Sequence, residues 1–166
     1  MLRVKNPLYA DHVDQETTRH FTATTFVVYN GKVLLHRHPR QQIWLPPGGH
    51  IERDELPDEA ALREVREETG LAVILSSAGQ ADELARDMGT AVVAQPAYIL
   101  VEQINQHHQH IDFVYQAIPE NAPPEGEPPV HAGFQWFALD ALPDKDVPKN
   151  VRVGARMAVE YYALAG

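Results

Sequence analysis

The chain has 166 residues, of which 44% are hydrophobic and 22% charged, no cysteine, and a formal net charge of −9 at pH 7. That length and apolar content suit a single globular domain over 1–166, and the lack of cysteine excludes disulfides and thiolate metal sites, fits a reducing compartment and makes the cytoplasm the expected location. The acidic balance argues against stable nucleic-acid binding, which rests on Lys and Arg neutralising phosphates, while residues 1–14 lack the apolar core of a signal peptide and no later stretch approaches the roughly 18 apolar residues of a membrane span.

His20 to Tyr29 is rich in Thr, Val and Phe, Asn30-Gly31 is a strong hairpin dipeptide, and Lys32 to His36 resumes an apolar run, so two antiparallel strands are predicted. Arg37 to Gly49 carries three prolines and closes on Pro46-Pro47-Gly48-Gly49. It cannot be helix interior and reads as a shaped loop from which Trp44-Leu45 enters the core. Pro57 suits the first turn of a helix, Asp58 and Glu59 its positive end, and Gly70 a left-handed stop after Thr69.

Leu71 to Leu75 reads as a strand, Asp82 to Met88 as a short helix in an inserted segment, and Tyr98 to Ile104 with His110 to Ile118 as a strand pair joined by Gln106-His107-His108-Gln109. Pro119 to Pro129, with five prolines and three glutamates, reads as an extended, mobile loop that supplies no core. Phe134 to Leu139 returns as a short strand. Val147 to Leu164 closes the chain as an amphipathic helix with Val151, Ala155, Ala158, Val159 and Tyr162 on one face. Strands interleaved with two main helices predict an α/β domain with helices on both faces of a mixed sheet.

Between loop and second strand run, Gly49 to Leu71 reads GHIERDELPDEAALREVREETGL. Residues three and four apart share a helix face, so Glu64, Glu67 and Glu68 project within an arc of about 100°. Arg63 precedes Glu67 by four residues, but Glu64 and Glu68 have no basic residue three or four positions away. Like charges at that spacing cost a few tenths of a kcal/mol per pair, and a divalent cation reverses the sign. Leu62, Val65 and Thr69 are expected on the buried side, with Ala60 and Ala61 a turn upstream, so the carboxylates line a crevice edge. Hard oxygen ligands favour Mg²⁺, with Mn²⁺ as a substitute.

Gly49, Glu55, Arg63, Glu64, Val65, Glu67, Glu68, Gly70 and Leu71 complete the pattern G-x5-E-x7-R-E-U-x-E-E-x-G-U, with U apolar. That pattern recurs by chance in roughly 10⁻⁷ of chains this long. It resembles the Nudix hydrolase box, which implies an α/β/α sandwich with a mixed sheet, Mg²⁺ or Mn²⁺ as cofactor, and hydrolysis of nucleoside diphosphates linked to a further group. The resemblance makes Glu64, Glu67 and Glu68 metal ligands, joined by the carbonyl of Gly49, with Arg63 fixing their rotamers and Glu55 supporting loop and site. The reaction it implies is attack of an activated water on a phosphorus, which releases a nucleoside monophosphate.

Free nucleoside di- or triphosphates are the substrate expected of so compact a chain, as monomer or homodimer. Nucleotide sugars, ADP-ribose and dinucleoside polyphosphates are the alternatives, and a non-catalytic nucleotide-binding regulator is a further one. Arg37, His38 and Arg40 are candidate substrate contacts, with His36 beside them. Glu127 is the candidate carboxylate from a loop beyond the box, with Glu125, Glu102 and Asp112 as rivals. His107, His108 and His110 with Asp112 invite a transition-metal reading, but a wet hairpin tip is the expectation. Trp44, Phe134 and Trp136 are expected in the core rather than against a base.

Overall fold

The computed structural model describes residues 17–143 and 145–165. The reading of residues 1–14 therefore lies outside the described residues. Strand β1 (Thr18–Tyr29) turns at Asn30 and Gly31, both at positive φ (48° and 72°), into β2 (Lys32–Arg37). Two positive φ values in succession match the right-handed twist of the strands, and Asn-Gly tolerates them.

The expected loop from Arg37 to Gly49 contains two short strands, β3 (Trp44–Leu45) paired with β2 and β4 (Gly48–His50) paired with β1. Pro46 and Pro47 fall between them, where no ladder hydrogen bond is lost. Trp44 and Leu45 pack against the core as expected.

Helix α1 (Pro57–Thr69) starts with Pro57, and the Glu59 carboxylate accepts a hydrogen bond from the Leu56 N–H at 2.9 Å, a capping arrangement. It ends at Gly70, whose φ of 80° forms the left-handed stop. Its buried stripe is Ala60, Ala61, Val65 and Thr69, while Leu62 is 41% exposed, contrary to expectation. Leu62 stands one residue past the stripe. Glu64 follows Ala60 by four residues and Glu68 follows Ala61 by seven, so both lie on the stripe itself.

Strand β5 (Val73–Leu75) leads into α2 (Ala78–Met88), which begins four residues before the expected Asp82; Ser77 precedes it, with its hydroxyl donating to the Gln95 carbonyl and not to the helix. Strands β6 (Tyr98–Asn105) and β7 (His108–Pro119) form the expected pair, but only Gln106 and His107 connect them. His108 and Gln109 are strand residues, and Gln109 is buried. The Pro-rich segment is tied back at three points: the Tyr29 hydroxyl donates to the Pro123 carbonyl, the Trp136 indole N–H to that of Pro128, and Lys32 pairs with Glu127. Strand β8 (Phe134–Ala138), a short 3₁₀ turn (Leu139–Ala141) and α3 (Lys149–Ala165) complete the chain.

The sheet is mixed: β1 runs parallel to β7 and every other recorded pairing is antiparallel. Alternation along the strands separates its two faces. Phe26 and Val28 of β1, Val33 and Leu35 of β2 and Val114 of β7 join Val151, Ala155 and Ala158 of α3 in one core cluster. Ala23 of β1 and Tyr115 of β7 pack with Ala60 and Ala61 of α1, and Val27 and Leu34 with Val65. The two long helices thus cover opposite faces, and no helix among the described residues is long and apolar enough to cross a membrane.

Gly154 lets α3 lie close on the sheet. A Cβ there would strike the buried Phe26 ring and meet the Tyr98 hydroxyl at 2.6 Å. Gly→Ala inside a helix normally gains about 1 kcal/mol, while forcing a methyl into a packed core costs about 1–3 kcal/mol. Gly154→Ala is therefore expected to lower the melting temperature; denaturant or thermal unfolding checks it, and a raised melting point would contradict it.

Candidate active site

The carboxylates of α1 meet β4 through glycine. The Gly48 N–H donates to Glu68 Oε2 at 3.1 Å. A Cβ on Gly49 would meet Glu64 Cδ at 2.6 Å, and one on Gly48 would meet Thr24 Cα at 2.9 Å. Neither glycine has positive φ. Both are required for close approach, which places Glu64 and Glu68 against the backbone of β4.

Arg63 holds the cluster together. Its Nε donates to Glu55 Oε1 at 2.7 Å and Nη2 to Glu55 Oε2 at 2.9 Å, a two-pronged pair; Nη1 donates to Glu64 at 2.8 Å and Glu67 at 3.1 Å, and Nη2 also to the His50 carbonyl at 3.1 Å. Every N–H of the guanidinium is used. Glu64, unpaired by the three-and-four rule, is thus paired with its own chain neighbour. Glu59, four residues before Arg63, is taken up at the helix N-terminus.

The paired residues sit low, with side-chain exposures of 24% for Arg63, 13% for Glu55 and 15% for Glu64, against 62% for Glu67. Hydrogen bonding to Arg63 is the main cause holding Glu55 below the ordinary carboxylate range, and the same bond raises Arg63. Glu68 is pushed the other way, first by burial and then by the charges of Glu64 and Glu67, against the pull of the Gly48 N–H. Among the described residues Glu68 has no cationic partner, and a half-buried carboxylate so placed beside two others gains from a divalent ion. The donor set is all hard oxygen, which fits Mg²⁺ or Mn²⁺.

Glu68, Gly48 and Gly49 form one edge of a cavity of about 450 Å³ on the α3 side of the sheet. Its walls are Phe26, Leu45, Leu100, Val114 and Val151, and its polar groups include Thr22, Thr24, Tyr98, Glu102, Asp112 and Asn150. Asp112 is buried and accepts hydrogen bonds from the Thr22 and Thr24 hydroxyls at 2.8 and 3.0 Å. Burial pushes its carboxyl up against those two donors. Glu102, held by Asn150 at 2.8 Å, is raised by burial and by Asp112, and the Tyr98 hydroxyl is pushed up to about 12. A larger hollow of about 580 Å³, between α2 and the end of α3, contains no residue of the acidic motif.

Of the candidate substrate contacts, His38 lines the cavity together with His36. Arg37 pairs with Asp146 at 3.8 Å, and Arg40 is exposed on the turn beyond; neither lines the cavity. Glu127 is engaged by Lys32 at 2.6 Å, near the β1–β2 turn, and is likewise not part of the lining. Its rivals Glu102 and Asp112 are. His131 closes the C-terminus of α1 instead, since its backbone N–H donates to the Thr69 carbonyl and its ring Nδ1 lies 3.0 Å from the Glu68 carbonyl. Trp44, Phe134 and Trp136 pack in or against the core clusters.

Thr22, Thr24 and Tyr98 are cavity residues that no motif marked. Period-2 alternation through Phe26 and Val114 could have found them, since it puts Thr22, Thr24, Tyr98, Leu100, Glu102 and Asp112 on one face.

The family model described as NUDIX domain matches residues 18–157. The chain is 28% identical over 130 residues to an RNA pyrophosphohydrolase of Gluconacetobacter diazotrophicus, covering 70% of this chain and 75% of that protein. It is 33% identical over 96 residues to a probable DHNTP pyrophosphohydrolase of Lactococcus lactis subsp. cremoris, covering 57% of this chain and about half (51%) of that protein. Among solved structures, a hydrolase of the NUDIX family from Clostridium perfringens superposes with a TM-score of 0.72 at 33% identity, covering 87% of this chain and 99% of that one.

Proposed function

This chain belongs to the Nudix hydrolase family, whose members act on pyrophosphate bonds of nucleotides, and we propose that it hydrolyses the phosphoanhydride of free nucleoside di- or triphosphates at the α1 carboxylates. The observation that carries this reading is the adjacency of Glu68 and Gly48-Gly49 to a cavity of about 450 Å³. That volume lies toward the lower end of small-molecule sites, roughly 300–1,000 Å³, and suits one nucleoside. A base would pack on Phe26, Leu45 and Leu100, with Asp112 and Glu102 available to its polar edge, while the phosphates extend to Glu68.

Glu64, Glu67 and Glu68, with the Gly49 carbonyl, would hold Mg²⁺ or Mn²⁺. Bound there, the ion supplies neutralisation of phosphate charge and a more acidic water. Arg63 fixes the carboxylates before substrate arrives, Glu55 anchors Arg63, and the cavity walls exclude water from the nucleoside. His38, which lines the cavity, would contact substrate there. Charge neutralisation by the ion also explains how a chain of net charge −9 takes a polyanion.

A nucleoside triphosphate incubated with the protein and Mg²⁺ is expected to yield nucleoside monophosphate and pyrophosphate, read by chromatography. Inertness toward every nucleoside di- and triphosphate would overturn the substrate assignment. Gly49→Ala tests the cradle: the new methyl displaces the Glu64 carboxylate from its place against β4. Activity should fall on the order of 10–100-fold with little change in melting temperature, because the group that yields is a side-chain end. Wild-type activity in that variant would remove Gly49 from the site.

A further inference from the structure

The histidines at 20, 50, 108 and 110 lie far apart in the chain, yet the sheet brings them together. In the β1–β7 register His20 sits beside His110 and Thr18 beside His108, while β4 pairs His50 with Thr22 on the other side of β1. Alternation turns His108 and His110 to the same face as Asp112. The expected wet hairpin tip is therefore a cluster seated on three paired strands, with only His107 left on the turn.

Ring centroids are 4.5 Å apart for His20 and His108, 4.8 Å for His108 and His110, 5.0 Å for His50 and His110, and 5.3 Å for His20 and His50. Nδ1 of His20 lies 3.4 Å from Nε2 of His50. One ligand nitrogen from each of His20, His50 and His110 falls within 4.8 Å of the others. Two imidazoles on one tetrahedral ion, with metal–nitrogen bonds of about 2.0–2.1 Å, stand about 3.3 Å apart, so the first pair already has that span. Among the described residues, Nε2 of His108 and of His110 are buried without a hydrogen-bond partner. Buried polar atoms are ordinarily satisfied, and a cation satisfies a neutral imidazole nitrogen.

We propose that His20, His50 and His110, with the ring of His108 packed beside them, form a second metal site, for a borderline dication such as Zn²⁺, Co²⁺ or Ni²⁺. Imidazole selects these ions over Mg²⁺, which prefers oxygen. The all-oxygen α1 cluster and the all-nitrogen cluster thus differ in the ion they take. A bound ion would clip the ends of β1, β4 and β7 together. It does so one residue from Gly49, on the strand whose His50 carbonyl accepts from Arg63.

The test uses untagged full-length protein in excess Mg²⁺, titrated with Co²⁺ and followed by visible absorption, then with Zn²⁺ against a chromophoric chelator. A single equivalent is expected to bind with Mg²⁺ still present, giving the intense Co²⁺ bands of a nitrogen-rich tetrahedral site and raising the melting temperature by mass action. His20→Asn should weaken binding on the order of tenfold or more, His110→Asn likewise, while Glu67→Gln/Glu68→Gln should leave it intact. His20 is exposed, so His20→Asn folds, which circular dichroism checks, and keeps Mg²⁺-dependent hydrolysis. Co²⁺ or Zn²⁺ binding that excess Mg²⁺ abolishes, or that both His variants leave unchanged, would overturn the proposal. Neither readout requires turnover, so it stands or falls apart from the substrate assignment.

Discussion

Glu68→Gln is expected to lower Mg²⁺-dependent hydrolysis by about 10²–10³-fold, the loss typical of one charged or polar group aimed at a reacting centre, while leaving the protein folded and no less stable. The sign of the stability change follows from the surroundings. Glu68 is half buried, and Glu64 and Glu67 repel its charge. An amide keeps the shape, can still accept the Gly48 N–H, and relieves the repulsion by a few tenths of a kcal/mol per pair. Activity and stability should thus move in opposite directions, read as kcat at saturating Mg²⁺ and as melting temperature on one sample. A carboxylate kept for structure alone would lose stability instead, and wild-type kcat would remove Glu68 from the chemistry.

Arg63→Lys should be nearly as damaging, although it preserves the charge. The guanidinium serves Glu55, Glu64, Glu67 and the His50 carbonyl at once. An ammonium has three donors at a single point and cannot hold a two-pronged pair with Glu55 while reaching the others. The carboxylates then lose their fixed rotamers, and metal affinity should drop about 10–100-fold. The signature is a rise in the Mg²⁺ concentration needed for half-maximal rate, with kcat partly recovered at high Mg²⁺. Stability should fall by only about 1 kcal/mol, because the lysine keeps a positive charge and one hydrogen-bonded contact among the carboxylates, and only part of the Arg63 pairing is lost. An unchanged Mg²⁺ dependence would show that Arg63 does not set the carboxylate geometry.

The parts of the fold written locally were legible in the sequence. Asn30-Gly31, Pro57 and Gly70 each impose one backbone choice, so hairpin, helix start and helix stop are found where expected. Spacing along one helix likewise grouped Glu64, Glu67 and Glu68. What the sequence concealed depends on which strands lie side by side. The pairing of Arg63 with Glu55 and the His50 carbonyl joins three separate segments, and a rule confined to neighbours on one helix misses it. His20 and His50 gave no signal until β1 was placed between β4 and β7. The family resemblance put Glu127 forward by its place in a loop beyond the box, but that residue pairs with Lys32 instead, and Asp112, two residues along a strand from His110, lines the cavity.

The most direct test is a chromatographic screen for nucleoside monophosphate and the other hydrolysis products, with Mg²⁺ and with Mn²⁺, across nucleoside di- and triphosphates, ADP-ribose, nucleotide sugars, dinucleoside polyphosphates and 5′-triphosphorylated RNA, with Glu68→Gln run beside the wild type. Dominant turnover of a free nucleoside di- or triphosphate, lost in Glu68→Gln, is the predicted result. A folded, Mg²⁺-binding wild type that turns over nothing in the panel, or a dominant activity that survives in Glu68→Gln, would contradict it.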